Sequence, residues 1–343
     1  MRDKTYDIAK ALMMLWVVWG HLMRYEVVEY DTSIYMLNAK IGVNMPVFFV
    51  IGGCLASLTF TKADWPKLMS RAIHFLWPQF AVAIAYALLL FVVGGHGGRA
   101  FSWIMGAWFL HTYALVYLIS AIIFRITVDN NKRWILFSLC YLVMIFWPSQ
   151  FRLNWCGQVI HMFPYFVFGL MCLRKKMYFD WRIGCVCGVL YLAAVFLQGD
   201  SSQNGMNFWK VDVNWNVLLH SWRDGVTFIA RTAVGICGSI FVLFIVSLLI
   251  KVIPCIAILS SLGMTTLGVY VLHEYPLFLL GKHMSILPLP SWLCWFVAIC
   301  WFGFCHCLVI LLKRWTVVNV VFFGNEMLLA NAFRKIHDFV RVR

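Results

Sequence analysis

The chain has 343 residues, 63% of them hydrophobic and only 12% charged, and its mean hydropathy is +0.82. A soluble domain carries about 25% charged residues, so water is excluded as the solvent of this sequence. The formal net charge of +14 lies mostly between apolar runs. Topology and attraction to anionic lipid account for charge placed in that way, and no nucleic-acid partner is expected.

Apolar runs of about 20 residues recur from end to end. Each is long enough to cross roughly 30 Å of hydrocarbon as a helix with its backbone hydrogen bonds satisfied internally. A β-barrel would show shorter, alternating segments instead. In chain order the predicted spans are 8–22, 41–60, 72–93, 103–124, 134–147, 158–173, 183–197, 228–250, 262–280 and 292–312. The first is retained rather than cleaved, because it carries Trp16, Trp19 and His21 and lacks a small-residue cleavage pattern. Of the 28 Lys and Arg, one set of alternate connecting segments holds only Arg24, Lys40, Arg99, Arg152, Lys210, Arg223 and Lys282. Lys10 and Arg231 fall inside spans, and all the others lie on the opposite side, Arg174, Lys175, Lys176 and Arg182 among them. The positive-inside rule then puts both termini in the cytoplasm. The expectation is an all-α polytopic protein of the cell inner membrane with about ten transmembrane helices. A single membrane domain occupies 1–343, and its basic tail, 313–343, lies on the cytoplasmic surface among the lipids.

No connecting segment is long enough for a soluble domain. The segment 198–227 holds Asn204, Asn207, Trp209, Asn214, Trp215, Asn216 and Trp222, amides and flat rings that suit either sugar faces or an interfacial aromatic belt. Gly94 to Gly98 reads GGHGG but follows a span and lacks the strand context of a phosphate loop. No strong internal repeat is seen. The 12 cysteines form no C-x-x-C pair and read as small apolar packing residues. Cys305 and Cys307 flank His306 but point about 200° apart on a helix, a poor arrangement for one metal, so no metal is expected.

Ionisable side chains inside spans are costly and each calls for a functional reading. Asp7, Lys10 and His21 share the first helix. At about 100° per residue Lys10 and His21 fall roughly 20° apart, on one face, while about 16 Å of axial rise separates them. Asp7 and Lys10 are spaced for an i, i+3 pair. His21 can serve as a general base near neutral pH or as a packed, hydrogen-bonded histidine. At the start of the third span, Lys67, Arg71, His74 and Pro78 combine forked and compact cationic donors that suit a phosphate-bearing anion or lipid headgroups. Late in the chain, Thr265, Thr266, Tyr270, His273 and Glu274 share one span, and Arg231 in the preceding span is a possible partner for Glu274.

These residues together resemble the acyltransferase family 3 of integral membrane proteins. YDIAKALMMLWVVWGH, from Tyr6 to His21, is similar to the family's opening, with a basic residue ahead of an intramembrane histidine. NMPVFFVIGGCLAS resembles its second span, and Arg71-x-x-His74-x-x-x-Pro78 the start of its third. Trp108-Phe109-Leu110 matches its W-F-L element, Pro164-Tyr165-Phe166 with Gly169 resembles its sixth-span element, and LGMTTLGVYVLHEYP is similar to its late histidine signature. Three departures stand out: Lys10 replaces a common Arg, His74 the second Arg of the third-span motif, and Gly52 and Thr266 occupy two Ser positions.

The resemblance implies a membrane O-acyltransferase with no tightly bound cofactor. It would move an acyl group, usually acetyl, from cytoplasmic acyl-CoA to a hydroxyl of a lipid-linked or exported glycan. On that basis the catalytic residues are His21, as the base, and Asp7, beside Lys10 on the same helix. Lys10, Arg71 and His74 bind the donor phosphates, and Arg231, Tyr270, His273, Glu274 and Trp108 are candidates for a polar cavity. Direct transfer and a covalent acyl relay both remain open. The rival readings are a transporter or flippase of a glycan or small solute, using Glu274, Arg231 and His273 as a polar path, and a non-catalytic membrane subunit that keeps the fold.

Overall fold

The computed structural model describes residues 3–25, 27, 42–62, 64–92, 108–146, 156–173, 180–197, 222–284, 289–324 and 331. Among them the chain is helical throughout and contains no β-strand. The helices are α1 (Lys4–Arg24), α2 (Asn44–Lys62), α3 (Trp65–Val92), α4 (Trp108–Ile126), α5 (Asn130–Phe146), α6 (Cys156–Met171), α7 (Trp181–Leu197), α8 (Trp222–Val252), α9 (Ser260–Met264), α10 (Thr266–Met284) and α11 (Cys294–Arg314). A 3-10 turn, Pro254–Leu259, leads into α9, and a π-helical turn, Asn319–Phe323, follows α11. Asn204 to Asn216, the GGHGG stretch, Arg174 to Lys176 and most of the tail beyond Gly324 lie outside the described residues.

Every apolar run predicted from the sequence meets a helix, with one correction. The run 262–280 is not continuous: the chain bends by 61° between Pro254–Met264 and Thr266–Glu274. Hydroxyls repair the interruption, as a break inside hydrocarbon requires. Thr265 Oγ1 donates to the carbonyl of Leu262 at 2.9 Å, and Thr266 Oγ1 to that of Gly263 at 3.1 Å. Gly263 is also where the backbone of α1 comes closest, since a Cβ there would overlap the carbonyl of Asp7. Among the described residues four helices are long and apolar enough to cross a membrane by themselves, or five if the bent pair forms one span.

The polarity of the surface is reversed relative to a soluble protein. Leu139 and Val143 on α5, Val186 and Val189 on α7, and Phe296, Ile299 and Phe304 on α11 are exposed. Ser70, Thr112, Ser120, Ser239 and His273 are fully buried. Contiguous exposed aliphatic and aromatic faces suit lipid rather than water, and the chain is a membrane protein.

Two compact units make up the chain, residues 1–51 with 172–310 and residues 52–171 with 311–343. In the first, α1 packs against α8, the 254–259 turn, α9 and α10, and α7 pairs with α8. Gly184 and Gly188 of α7 sit under the rings of Phe244 and Phe241, while Gly238 of α8 receives Tyr191. Close approach over small residues of this kind drives helix association where lipid offers no hydrophobic contrast. Asp3 opens α1, its carboxylate accepting from the amide of Thr5 at 3.0 Å.

In the second unit α4 packs against α3, α5 and α6. Phe60, Phe75, Tyr113, Tyr117 and Phe166 meet mostly edge to face, with ring centroids 4.7 to 6.5 Å apart. Buried Arg133 closes the end of α4, donating to the carbonyls of Phe124 and Thr127 at 3.2 and 2.9 Å. The 319–323 turn packs on α3, where Trp77 Nε1 donates to the carbonyl of Val321 at 2.8 Å.

Gly53 of α2 faces the backbone of Phe166 and Leu170, and a Cβ there would overlap both, whereas Gly303 of α11 has nothing within 4 Å. Gly53→Ala is therefore expected to destabilise the protein by about 1–3 kcal/mol through overpacking. Gly303→Ala is expected to be neutral or to stabilise it by about 0.5–1 kcal/mol. Thermal unfolding of the two detergent-solubilised variants checks this, and equal midpoints would refute it.

Candidate active site

In the first unit a contact between two imidazoles joins α1 to α10. His21 lies near the end of α1 and is half-buried, while His273 is fully buried on α10. His21 Nδ1 is 2.9 Å from His273 Nε2. The two rings are nearly coplanar, inclined by 13° with centroids 5.0 Å apart.

The neighbours of His273 decide which nitrogens carry protons. His273 Nδ1 lies 3.0 Å from the carbonyl oxygen of Val269 and 2.8 Å from that of Tyr270. Carbonyl oxygens only accept, so Nδ1 carries the hydrogen and donates to them. In the neutral ring Nε2 is then an acceptor, and His21 Nδ1 must donate to it. The remaining nitrogen of His21, Nε2, presents a lone pair. Among the described residues it meets no hydrogen-bond donor. An imidazole oriented through one nitrogen by a second group, with the other nitrogen available, is the arrangement a general base requires.

Other contacts hold this pair in place. Trp301 Nε1 on α11 donates to the carbonyl of His273 at 3.4 Å. Trp19 stacks on Trp295 at 4.3 Å, and Trp16 meets both rings edge-on. Lower on α11, His306 Nδ1 is 2.7 Å from Thr265 Oγ1, whose proton goes to Leu262, so the imidazole donates and braces the helix break. Cys305 is buried and Cys307 exposed, on different faces of α11. Tyr270 is buried, with its ring 5.8 Å from that of His273.

Asp7 and Lys10 form the i, i+3 ion pair expected from their spacing, at 2.8 Å. The helix leaves Asp7 about 21 Å along the axis from His21, so these two are not brought together. Glu274 corrects a sequence expectation. It does not pair with Arg231, which is half-buried on α8. Its carboxylate accepts instead from the Tyr25 hydroxyl at 2.7 Å, because the last turn of α1 carries that phenol directly to α10. Tyr25 escaped the sequence reading, although it lies one turn beyond His21, where an i, i+4 neighbour belongs.

Arg71, His74 and Trp108 belong to the second unit. Arg71 Nη1 donates to Thr59 Oγ1 across α2 and α3. His74, one turn further along α3, lies beside Gly324, whose φ of +67° suits a residue without a side chain close to His74 and Trp77. Trp108 is half-buried at the start of α4, edge-on to Phe109 at 6.2 Å.

The proton assignment has a spectroscopic test. In protein labelled with nitrogen-15 histidine, His21 should show a protonated Nδ1 and an unprotonated Nε2, and His273→Leu should abolish that preference. The reverse tautomer in the unaltered protein would sink the assignment.

Comparison with known proteins agrees with the residue pattern. The profile of the acyltransferase domain family matches residues 3–312. Nodulation protein NolL of Sinorhizobium fredii (strain NBRC 101917 / NGR234) is 23% identical over 218 residues, which make up 54% of this chain and 57% of that protein. The similarity thus spans little more than half of that relative's length. No solved structure matches the chain. The family profile begins ahead of α1 and ends within the last turns of α11, enclosing both histidines and the Arg71 segment; the chain belongs to acyltransferase family 3.

Proposed function

We propose that this protein is a membrane O-acyltransferase that moves an acetyl group from cytoplasmic acetyl-CoA to a hydroxyl of a lipid-linked or exported glycan. The observation that carries the reading is the hydrogen bond from His21 to His273, which leaves His21 Nε2 as an oriented base. The hydroxyl oxygen forms a bond to the thioester carbonyl carbon as its proton passes to Nε2. The carbon–sulfur bond then breaks, the thiolate leaves as coenzyme A and takes up the proton, and an ester remains on the glycan. General-base assistance of this kind contributes about 10²–10⁴ in rate. Membership of an acyltransferase family favours this reading over transport of the same glycan.

Arg71 and His74 are assigned to the phosphates of the donor, and Lys10 is a separate candidate for the same role. Asp7 belongs to this reading through Lys10, whose ammonium it fixes by their ion pair. Four contacts support a chain of about ten crossings, whose termini the positive-inside rule puts in the cytoplasm. Gly263 meets α1 at Asp7 and His273 meets it at His21, so α1 and α10 run in the same direction. Trp295 meets Trp19 while His306 meets Thr265, so α11 runs back. An odd-numbered first and ninth span and an even-numbered tenth require that pattern. The lipid-exposed faces are consistent with the inner membrane.

In membranes supplied with labelled acetyl-CoA, His21→Ala is expected to lower transfer about 10²–10⁴-fold at an unchanged protein level; undiminished transfer would remove His21 from the chemistry. Arg71→Ala should raise the apparent KM for acetyl-CoA about tenfold, as the loss of one charge-assisted hydrogen bond predicts. An unaltered KM would take Arg71 out of the donor site. Mass analysis of surface glycans from cells with and without the gene reads the product directly, as the loss of one acetyl group per modified sugar.

A further inference from the structure

Two hydrogen bonds tie the end of α1 to α10, one at His21 and His273, the other at Tyr25 and Glu274. The rings of His21 and Tyr25 meet edge to face, with centroids 5.7 Å apart and planes at 67°. The Glu274 carboxylate is therefore held by a residue about one helical turn beyond the base. A carboxylate within an apolar helix is costly unless it faces a partner or a wet chamber. An ionised carboxylate offers about four acceptor sites, and among the described residues Tyr25 fills one. Glu274 is half-buried. A cationic ligand is disfavoured, because the Arg24 guanidinium already lies 5.9 Å from the Tyr25 ring. What suits the site is a neutral hydrogen-bond donor.

We infer that Tyr25 and Glu274 form a clamp for a second acceptor hydroxyl adjacent to the one that is acylated, so that the acceptor is a vicinal diol. The inference rests on the acyl-transfer reading and defines its acceptor more closely. Adjacent hydroxyl oxygens of a sugar lie about a hydrogen bond's length apart. One gives its proton to His21 Nε2 while its neighbour donates to Glu274. Tyr25 is a positioning residue, holding the carboxylate in place through its hydroxyl.

The test uses membranes containing the full chain, labelled acetyl-CoA, and surface glycan from the same cells freed of esters by mild alkali. That glycan is supplied intact or after periodate oxidation, which cleaves adjacent hydroxyls. Glu274→Gln should raise the apparent KM for the glycan about tenfold while the KM for acetyl-CoA stays within about twofold, and Tyr25→Phe should act in the same direction. Oxidised glycan should accept no label. An unchanged glycan KM in both variants, a parallel loss against both substrates, or equal labelling of oxidised glycan would overturn the clamp. Should Glu274→Gln fail to accumulate, Tyr25→Phe, which keeps ring and carboxylate, decides alone. Wild-type rates in His21→Ala, or no label in intact glycan with the unaltered protein, would instead overturn the acyl-transfer reading and the clamp with it.

Discussion

The hydrogen bond between two imidazoles on α1 and α10 is the contact on which the candidate site depends. Its direction is set from outside the pair, by two backbone carbonyls on α10 that take the only proton His273 carries. Helical carbonyls are already engaged along the ladder, so this shared acceptance costs little and fixes the ring without another charged group. The result is an oriented imidazole in an apolar setting. Hydrogen bonds between membrane helices average about 0.6 kcal/mol and reach about 1.7, so the contact matters more for which nitrogen is exposed than for stability.

Around that contact the first unit is built to keep α1 and α10 in register. At one end Gly263 lets the Asp7 backbone sit against the helix break, and at the other the histidines meet. Between them α10 must start afresh after the bend, since an unbroken helix from 254 would carry His273 away from α1. Thr265 and Thr266 satisfy the carbonyls released by the break, and His306 holds Thr265 from α11. A stacked tryptophan pair then fixes α11 beside the upper part of α1. The second unit is organised differently, around aromatic rings packed on α4 and a buried arginine that closes its end.

Much of this was legible in the sequence, and the limits have physical causes. Apolar runs of membrane length announce their helices because hydrocarbon leaves the backbone no alternative. The Asp7–Lys10 pair follows from local spacing alone. His21 stood out as an ionisable group inside a span. So did His273, but their pairing did not, because pairing between distant segments is a tertiary fact that no local period encodes. The break at Thr265 was missed for a similar reason: threonine is tolerated within helices, and what makes the interruption useful is a distant backbone packed on Gly263. Charge complementarity pointed Glu274 towards Arg231, but the helix that arrives beside it brings a phenol.

The two imidazoles stand 252 residues apart in the chain. A ribosome therefore delivers the first of them into the bilayer long before it has made the second. Through most of synthesis the early ring has no companion to choose its tautomer, and only when α10 has been inserted and has turned at its bend does the base acquire an orientation. The contact thus forms late in the biogenesis of the polypeptide, and a nascent fragment that ends before α10 has no second ring to set the tautomer of His21.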